Sequence, residues 1–175
     1  MKRVLGVLVV CGFVSTARAQ TAPARVEIGM DAALSRLSSE GGPGTTVLDF
    51  PAQSFRLGFE LSLGVTLEPT LGLHGEFGDG SFTQLLFDLG LPINFSSTAD
   101  GAQFFVRPLA GLRHFSSDNS SATQFRLGGG VGVRVPIVTH LMSRFEARYA
   151  HDFKGDNSLS LNEFSLVAGL SFFTR

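Results

Sequence analysis

The chain has 175 residues, 43% of them apolar, and a formal net charge of −1, which is the size and composition of one domain. No run of basic or acidic residues indicates a nucleic-acid partner. The single cysteine, Cys11, lies near the start, so the chain beyond residue 20 can form neither a disulfide nor a cysteine-ligated metal site.

The first twenty residues, "MKRVLGVLVVCGFVSTARAQ", have the three parts of a secretory signal. Two basic residues precede an apolar stretch from residue 4 to 14, and Ala-Arg-Ala at 17–19 forms a small-x-small cleavage site. We predict a signal peptide over 1–19 and one domain over 20–175. A membrane anchor is a weaker alternative, because the apolar stretch is about half the ~20 residues that a spanning helix needs. Lipid attachment at Cys11 is also disfavoured, since a valine precedes it.

Eight segments of the remaining chain alternate apolar and polar residues with the period of two that strands show. In chain order they run from Val26 to Leu34, Phe55 to Val65, Leu71 to Phe77, Thr83 to Leu91, Phe104 to Leu112, Phe125 to Val135, Ser143 to Phe153, and Phe164 to Phe172. No helical period is long enough for a core helix. The pattern predicts an all-β fold, an eight-stranded antiparallel up-and-down barrel.

The connections between these segments differ in length on the two sides. With the N-terminus in the periplasm, three of the four outer connections are long and polar: "SSEGGPGTTVLDFPAQ", "SSDNSSA" and "KGDNSLS". The connections on the other side, "EPT", "SSTADG" and "PIVT", are short. This asymmetry is typical of transmembrane barrels in the outer membrane.

The polar faces of the predicted strands carry charges that balance. They hold seven arginines and seven acids, which are Arg56, Arg107, Arg113, Arg126, Arg134, Arg144, Arg148, Glu27, Asp31, Glu60, Glu76, Asp88, Glu146 and Glu163. Glycines alternate with the arginines, and lysine is nearly absent. A closed interior needs balanced charge, small neighbours and the multi-donor guanidinium. We therefore expect these side chains to fill the barrel interior, with the Phe/Leu face towards lipid. A secreted lipocalin-like binder, with the apolar face inward around a small ligand, is the alternative.

The last third of the chain resembles a known family. The stretch "GGGVGVRVPIVTHLMSRFEARYAHDF…NEFSLVAGLSFF" is similar to the last three strands of small outer-membrane β-barrels of the OmpA/OmpX-like and opacity-like type. The residues that carry the likeness are Arg144, Glu146, Arg148, Tyr149, Phe164, Leu166, Leu170 and Phe172.

The resemblance implies a porin-like structural or surface protein of a Gram-negative-type cell envelope, located in the outer membrane. The expected partners are outer-membrane lipid and lipopolysaccharide, periplasmic chaperones and the barrel-assembly machinery. We expect a monomer, no enzymatic activity and no cofactor. An eight-stranded barrel with a filled interior should conduct little or nothing.

The main enzymatic alternative is a lipid A deacylase, a small barrel with a His-x-Ser element on one strand and an acid on the next. His114 and Ser116 have this spacing, but the following strand offers no acid. His151 is followed by Glu163 on the next strand, but Phe153 occupies the serine position. No histidine pair has metal-ligand spacing. We therefore predict no catalytic, cofactor-binding or metal-binding residue.

Overall fold

A computed structural model describes residues 25–39, 45–49, 54–62, 64–76, 82–95, 101–117, 120–155 and 158–174. The predicted signal peptide lies outside these ranges. The strands are β1 (Val26–Ser39), β2 (Thr45–Asp49), β3 (Ser54–Ser62), β4 (Val65–Glu76), β5 (Phe82–Gly90), β6 (Ile93–Asn94), β7 (Gln103–Ser117), β8 (Ser120–Val138), β9 (Leu141–Asp152) and β10 (Leu161–Phe173). Within the described ranges no helix is long and apolar enough to cross a membrane.

The ten strands form one closed sheet of eight barrel strands. Each strand pairs antiparallel with its neighbours, and β10 closes the sheet on β1, from Glu27 beside Phe173 to Ser39 beside Leu161. The strands β2 and β3 pair with successive parts of β1 and together form the second barrel strand. The strand β5 and the short β6 both pair with β4 and β7, and together they form the fourth barrel strand. The predicted eight-stranded up-and-down barrel is confirmed.

The first short turn lies elsewhere than predicted. The prediction placed a turn at "EPT", residues 68–70, but these residues belong to β4, and the chain turns at Gly64. Gly64 has a φ of 82°, which glycine adopts without the steric cost that other residues incur. The prediction of this turn was therefore wrong, and the correction brings Glu68 onto the inner face of β4.

The two faces of the barrel have the opposite polarity to those of a soluble protein. Large apolar side chains lie outside, where Met30 is 60% exposed and Phe104 and Val131 are each 59% exposed. The arginines lie inside, and Arg107 and Arg144 are fully buried. This arrangement fits a protein whose outer wall meets lipid. The lipocalin-like alternative is wrong, because it requires the apolar face to point inward.

Candidate functional site: the charged barrel interior

Glu68 is the centre of an ion-pair cluster in the half of the barrel nearer the chain termini. Its carboxylate lies 2.5 Å from Nη1 of Arg144 and 2.7 Å from Nε of Arg107. Nitrogens of Arg56 and Arg134 each lie 3.5 Å from it. These arginines come from four different strands, so one buried carboxylate connects most of the barrel circumference. Charge-assisted hydrogen bonds of this kind are stronger than neutral ones.

Glu146 extends this cluster towards the middle of the barrel. It accepts a hydrogen bond from Nη2 of Arg144 at 2.7 Å and one from Nε of Arg148 at 3.1 Å. Arg107 contributes a longer contact of 3.8 Å. Residues 144, 146 and 148 point the same way because alternate residues of a strand share a face.

Glu27 and Asp31 on β1 complete the cluster. Arg56 donates to both carboxylate oxygens of Asp31, at 2.9 and 3.0 Å. Glu27 lies 3.0 Å from Nη2 of Arg134 and also accepts a hydrogen bond of 2.6 Å from the Ser171 hydroxyl. We call the arginines and acids around Glu68 the lower cluster; its members are Glu27, Asp31, Arg56, Glu68, Arg107, Arg134, Arg144, Glu146 and Arg148.

A second set of charges, the upper cluster, lies nearer the other end of the barrel. It consists of Asp88, Arg113, Arg126, Asp152 and Glu163. Arg113 pairs with Glu163 and lies 2.9 Å from Asp152. Arg126 lies within 3.5 Å of Asp88, Asp152 and Glu163. The two clusters together hold seven arginines and seven acids, so the described interior charges balance.

An aromatic residue and several glycines pack against the buried arginines and make room for them. The Phe105 ring, 2% exposed, lies against two guanidinium groups of the lower cluster, with Cζ of Arg144 at 4.5 Å and Cζ of Arg134 at 5.1 Å from the ring centroid. Glycine makes room for the others. A Cβ atom on Gly90 would lie 2.6 Å from Cζ of Arg107. The glycine-rich inner face is therefore a packing requirement of the buried arginines.

The clusters differ from the predicted network at three acids, which are Glu60, Glu68 and Asp152. Glu60 is partly exposed near the rim, and no ion pair of the described residues involves it. The side chain of Glu76 lies outside the described part of the chain. Glu68 and Asp152, which the sequence reasoning missed, are both fully buried in the clusters. The signal for Asp152 was present, since it continues the alternation of residues 144, 146 and 148 along β9.

The histidine elements considered for deacylase chemistry lie on the outer face. His114 contacts the Thr123 hydroxyl at 2.9 Å, with no carboxylate beside it among the described residues. Glu163 does not lie beside His151, because its carboxylate points into the barrel towards Arg113. The Asn162 side chain, on the outer face, contacts His151 instead. No group of His, Cys, Asp and Glu in the described ranges could hold a metal ion.

Three comparisons relate this architecture to known proteins. Residues 5–172 match the family described as outer membrane protein beta-barrel domain. No curated protein sequence matches the chain significantly.

Solved structures with a similar fold include three outer-membrane proteins. Neisserial surface protein A has 18% identity and a TM-score of 0.65, with 84% of this chain and 96% of that chain covered. OprG from Pseudomonas aeruginosa has 12% identity and a TM-score of 0.54, covering 87% and 96%. The outer membrane enzyme PagL has 18% identity and a TM-score of 0.50, covering 81% and 97%.

At these identities the structural likeness shows the fold alone, whereas the family match spans nearly the whole chain. The resemblance noted in the last three strands is thereby confirmed. The chain belongs to the outer membrane protein beta-barrel domain family.

Proposed function

We propose that this protein is a non-enzymatic barrel with a sealed interior, which has a structural or surface-interaction role in the outer membrane. The observation that supports the proposal is the pair of interior clusters. Their side chains are at most 12% exposed and come from the inner faces of all eight barrel strands. An eight-stranded barrel is just wide enough for side chains to fill it. The filled interior therefore leaves the outer surface and the outer connections as the parts that can meet other molecules.

Reconstitution into planar lipid bilayers tests the sealed interior. The expected result is the absence of a steady ionic current, because permeation would require buried, paired charges to separate. An open, long-lived conductance of the wild-type protein would refute the proposal. A porin of known conductance in the same bilayer serves as the positive control.

Two features of the outer face support a non-enzymatic role. His114 faces a threonine, and His151 has Phe153 rather than a hydroxyl group two residues along its strand. Neither element has the nucleophile, base and orienting acid of a hydrolase together. Incubation of the folded protein with lipopolysaccharide, followed by mass spectrometry of the lipid, should show no loss of an acyl chain. Release of a fatty acid would assign an enzymatic function instead.

We further propose that the chain is exported with a cleaved signal peptide over 1–19 and inserted as a monomer. Periplasmic chaperones and the barrel-assembly machinery would deliver it to a membrane that contains lipopolysaccharide. N-terminal sequencing of the envelope-bound protein should begin at Gln20, and a sequence beginning at Met1 would contradict the cleavage.

A further inference from the structure

The outer surface carries a belt of polar side chains at the end of the barrel opposite the chain termini. Paired residues of neighbouring strands form it: Thr83 with Ser116 and Ser121, His114 with Thr123, and His151 with Asn162. Below the belt the outer face is apolar, with Leu127 43% and Phe164 51% exposed. Short turns and termini lie on the periplasmic side of such barrels, so the belt lies on the outer-leaflet side. It marks the level where acyl chains meet lipid headgroups.

Three side chains of this region form a hydrogen-bonded group on the outer wall. The amide oxygen of Asn162 lies 2.7 Å from the Tyr149 hydroxyl and 2.8 Å from Nδ1 of His151. An amide oxygen can only accept, so the tyrosine and the imidazole Nδ1–H must both donate to it. In neutral His151 the other ring nitrogen, Nε2, is then an acceptor, and the Tyr149 oxygen keeps its lone pairs.

Ring contacts orient the imidazole of this group. The rings of His151 and Phe153 meet edge to face with centroids 4.8 Å apart, and Phe153 stacks on Phe125 at 5.9 Å. Contacts on both sides of the imidazole fix its orientation before any ligand arrives, which lowers the entropic cost of binding.

An apolar groove lies directly below this group. Its volume is about 520 Å³, and Tyr149 lines its upper end. The outward-facing lining residues are Val106, Pro108, Gly129, Val131, Ala147 and Phe164. Gly129 and Ala147 form the bottom of the groove, because their side chains are smaller than those of the residues around them. A Cβ atom on Gly129 would meet nothing closer than 3.4 Å, so the space above it is open.

We propose that this groove binds one acyl chain of lipopolysaccharide, with the sugar-proximal linkage of that chain against Tyr149, His151 and Asn162. The proposal rests on the proposed location of the protein in a membrane that contains lipopolysaccharide. The tyrosine oxygen and the imidazole Nε2 are free to accept hydrogen bonds, so they favour a ligand that donates hydrogen bonds at this level. The ester linkages of phospholipids have no N–H or O–H group. Lipopolysaccharide has amide-linked chains and sugar hydroxyls there, so its chemistry complements the site.

Native mass spectrometry of the full barrel, purified from outer membranes in mild detergent, tests the proposal by counting lipids retained per barrel. Wild type should retain lipopolysaccharide in preference to phospholipid. Tyr149→Phe removes one hydroxyl and should lower this retention by about 2–10-fold, the value of one hydrogen bond. Gly129→Leu fills the groove and should lower the retention at least as much. The control, Leu71→Phe on the opposite wall, should retain as much as wild type.

Each of three results would overturn the site. They are retention of phospholipid in place of lipopolysaccharide, retention of no lipid, and retention that Tyr149→Phe leaves unchanged. If lipopolysaccharide is retained equally by all variants, the site fails while the general contact with lipopolysaccharide stands. Heat-modifiable migration on a gel verifies that each variant is folded, and Tyr149→Phe keeps the test decisive if Gly129→Leu does not fold.

Discussion

Replacing Glu68 with leucine removes the carboxylate that connects the lower cluster. Four guanidinium groups lie within 3.5 Å of this carboxylate in the native barrel. In Glu68→Leu the lower cluster keeps five arginines but only three acids, and two of the arginines, Arg107 and Arg144, lose their nearest anion. Removing one partner of a buried ion pair costs about 3–5 kcal/mol. We expect the free energy of unfolding to fall by about this amount.

Two matched variants separate the causes of this loss. Glu60→Leu changes the same residue type in the adjoining strand, but Glu60 is partly exposed and has no ion pair among the described residues, so its loss should cost under about 1 kcal/mol. Glu68→Gln removes the charge but keeps one accepting oxygen, and its cost should lie between the two.

The assay is urea unfolding of the barrel in lipid vesicles, followed by far-ultraviolet circular dichroism because the chain has no tryptophan. Equal losses for the variants at positions 60 and 68 would refute the assignment of Glu68 as the centre of the cluster.

Two further predictions concern packing and the upper rim. Gly130→Ala would place a Cβ 2.9 Å from the carboxyl carbon of Glu146, so it should lower the free energy of unfolding by about 1–3 kcal/mol in the same urea assay. The control, Gly129→Ala on the adjacent lipid-facing residue, should cost under about 0.5 kcal/mol. Similar costs for the two variants would contradict the inward assignment of position 130. Gln124, buried at the upper end, donates a 2.6 Å hydrogen bond to a carbonyl of the connection between β9 and β10. Gln124→Leu should therefore speed trypsin cleavage at the exposed Lys154, and an unchanged rate would show that this contact does not restrain the connection.

The sequence was sufficient to predict which face of each strand points inward, because alternation is a local property. Arg144 and Phe145 are neighbours in the chain, yet one is fully buried and the other is 52% exposed. A shift of one residue would have put every arginine of the strand into lipid. The large cost of that alternative is why the pattern is so regular and so informative.

The position of the first turn could not be predicted in the same way. Pro69 indicated a turn because proline removes a backbone donor, but the structure accommodates it within β4, facing outward. What holds Glu68 inside is its contact with arginines far away in sequence, such as Arg144, 76 residues further along the chain. A contact between residues so far apart in sequence cannot be read from a local pattern. The sequence analysis therefore missed Glu68, the centre of the lower cluster, although it identified most of the residues that pair with it.

The outward orientation of the apolar face leads to a prediction about depth in the membrane. Val131 lies near the middle of β8 and is 59% exposed, whereas Val135 lies close to the short turn at the periplasmic end and is 38% exposed. An arginine facing lipid costs about 2–4 kcal/mol at the bilayer midplane and about 0–1 kcal/mol near an interface, because only the deeper charge must leave water. Val131→Arg should therefore destabilise the vesicle-inserted barrel by roughly 2–3 kcal/mol more than Val135→Arg does. Leucine at each position controls for the change in volume and should cost little. Equal losses for the two arginine variants in urea titrations would mean that the two positions lie at similar depth, contrary to the orientation inferred from the turns.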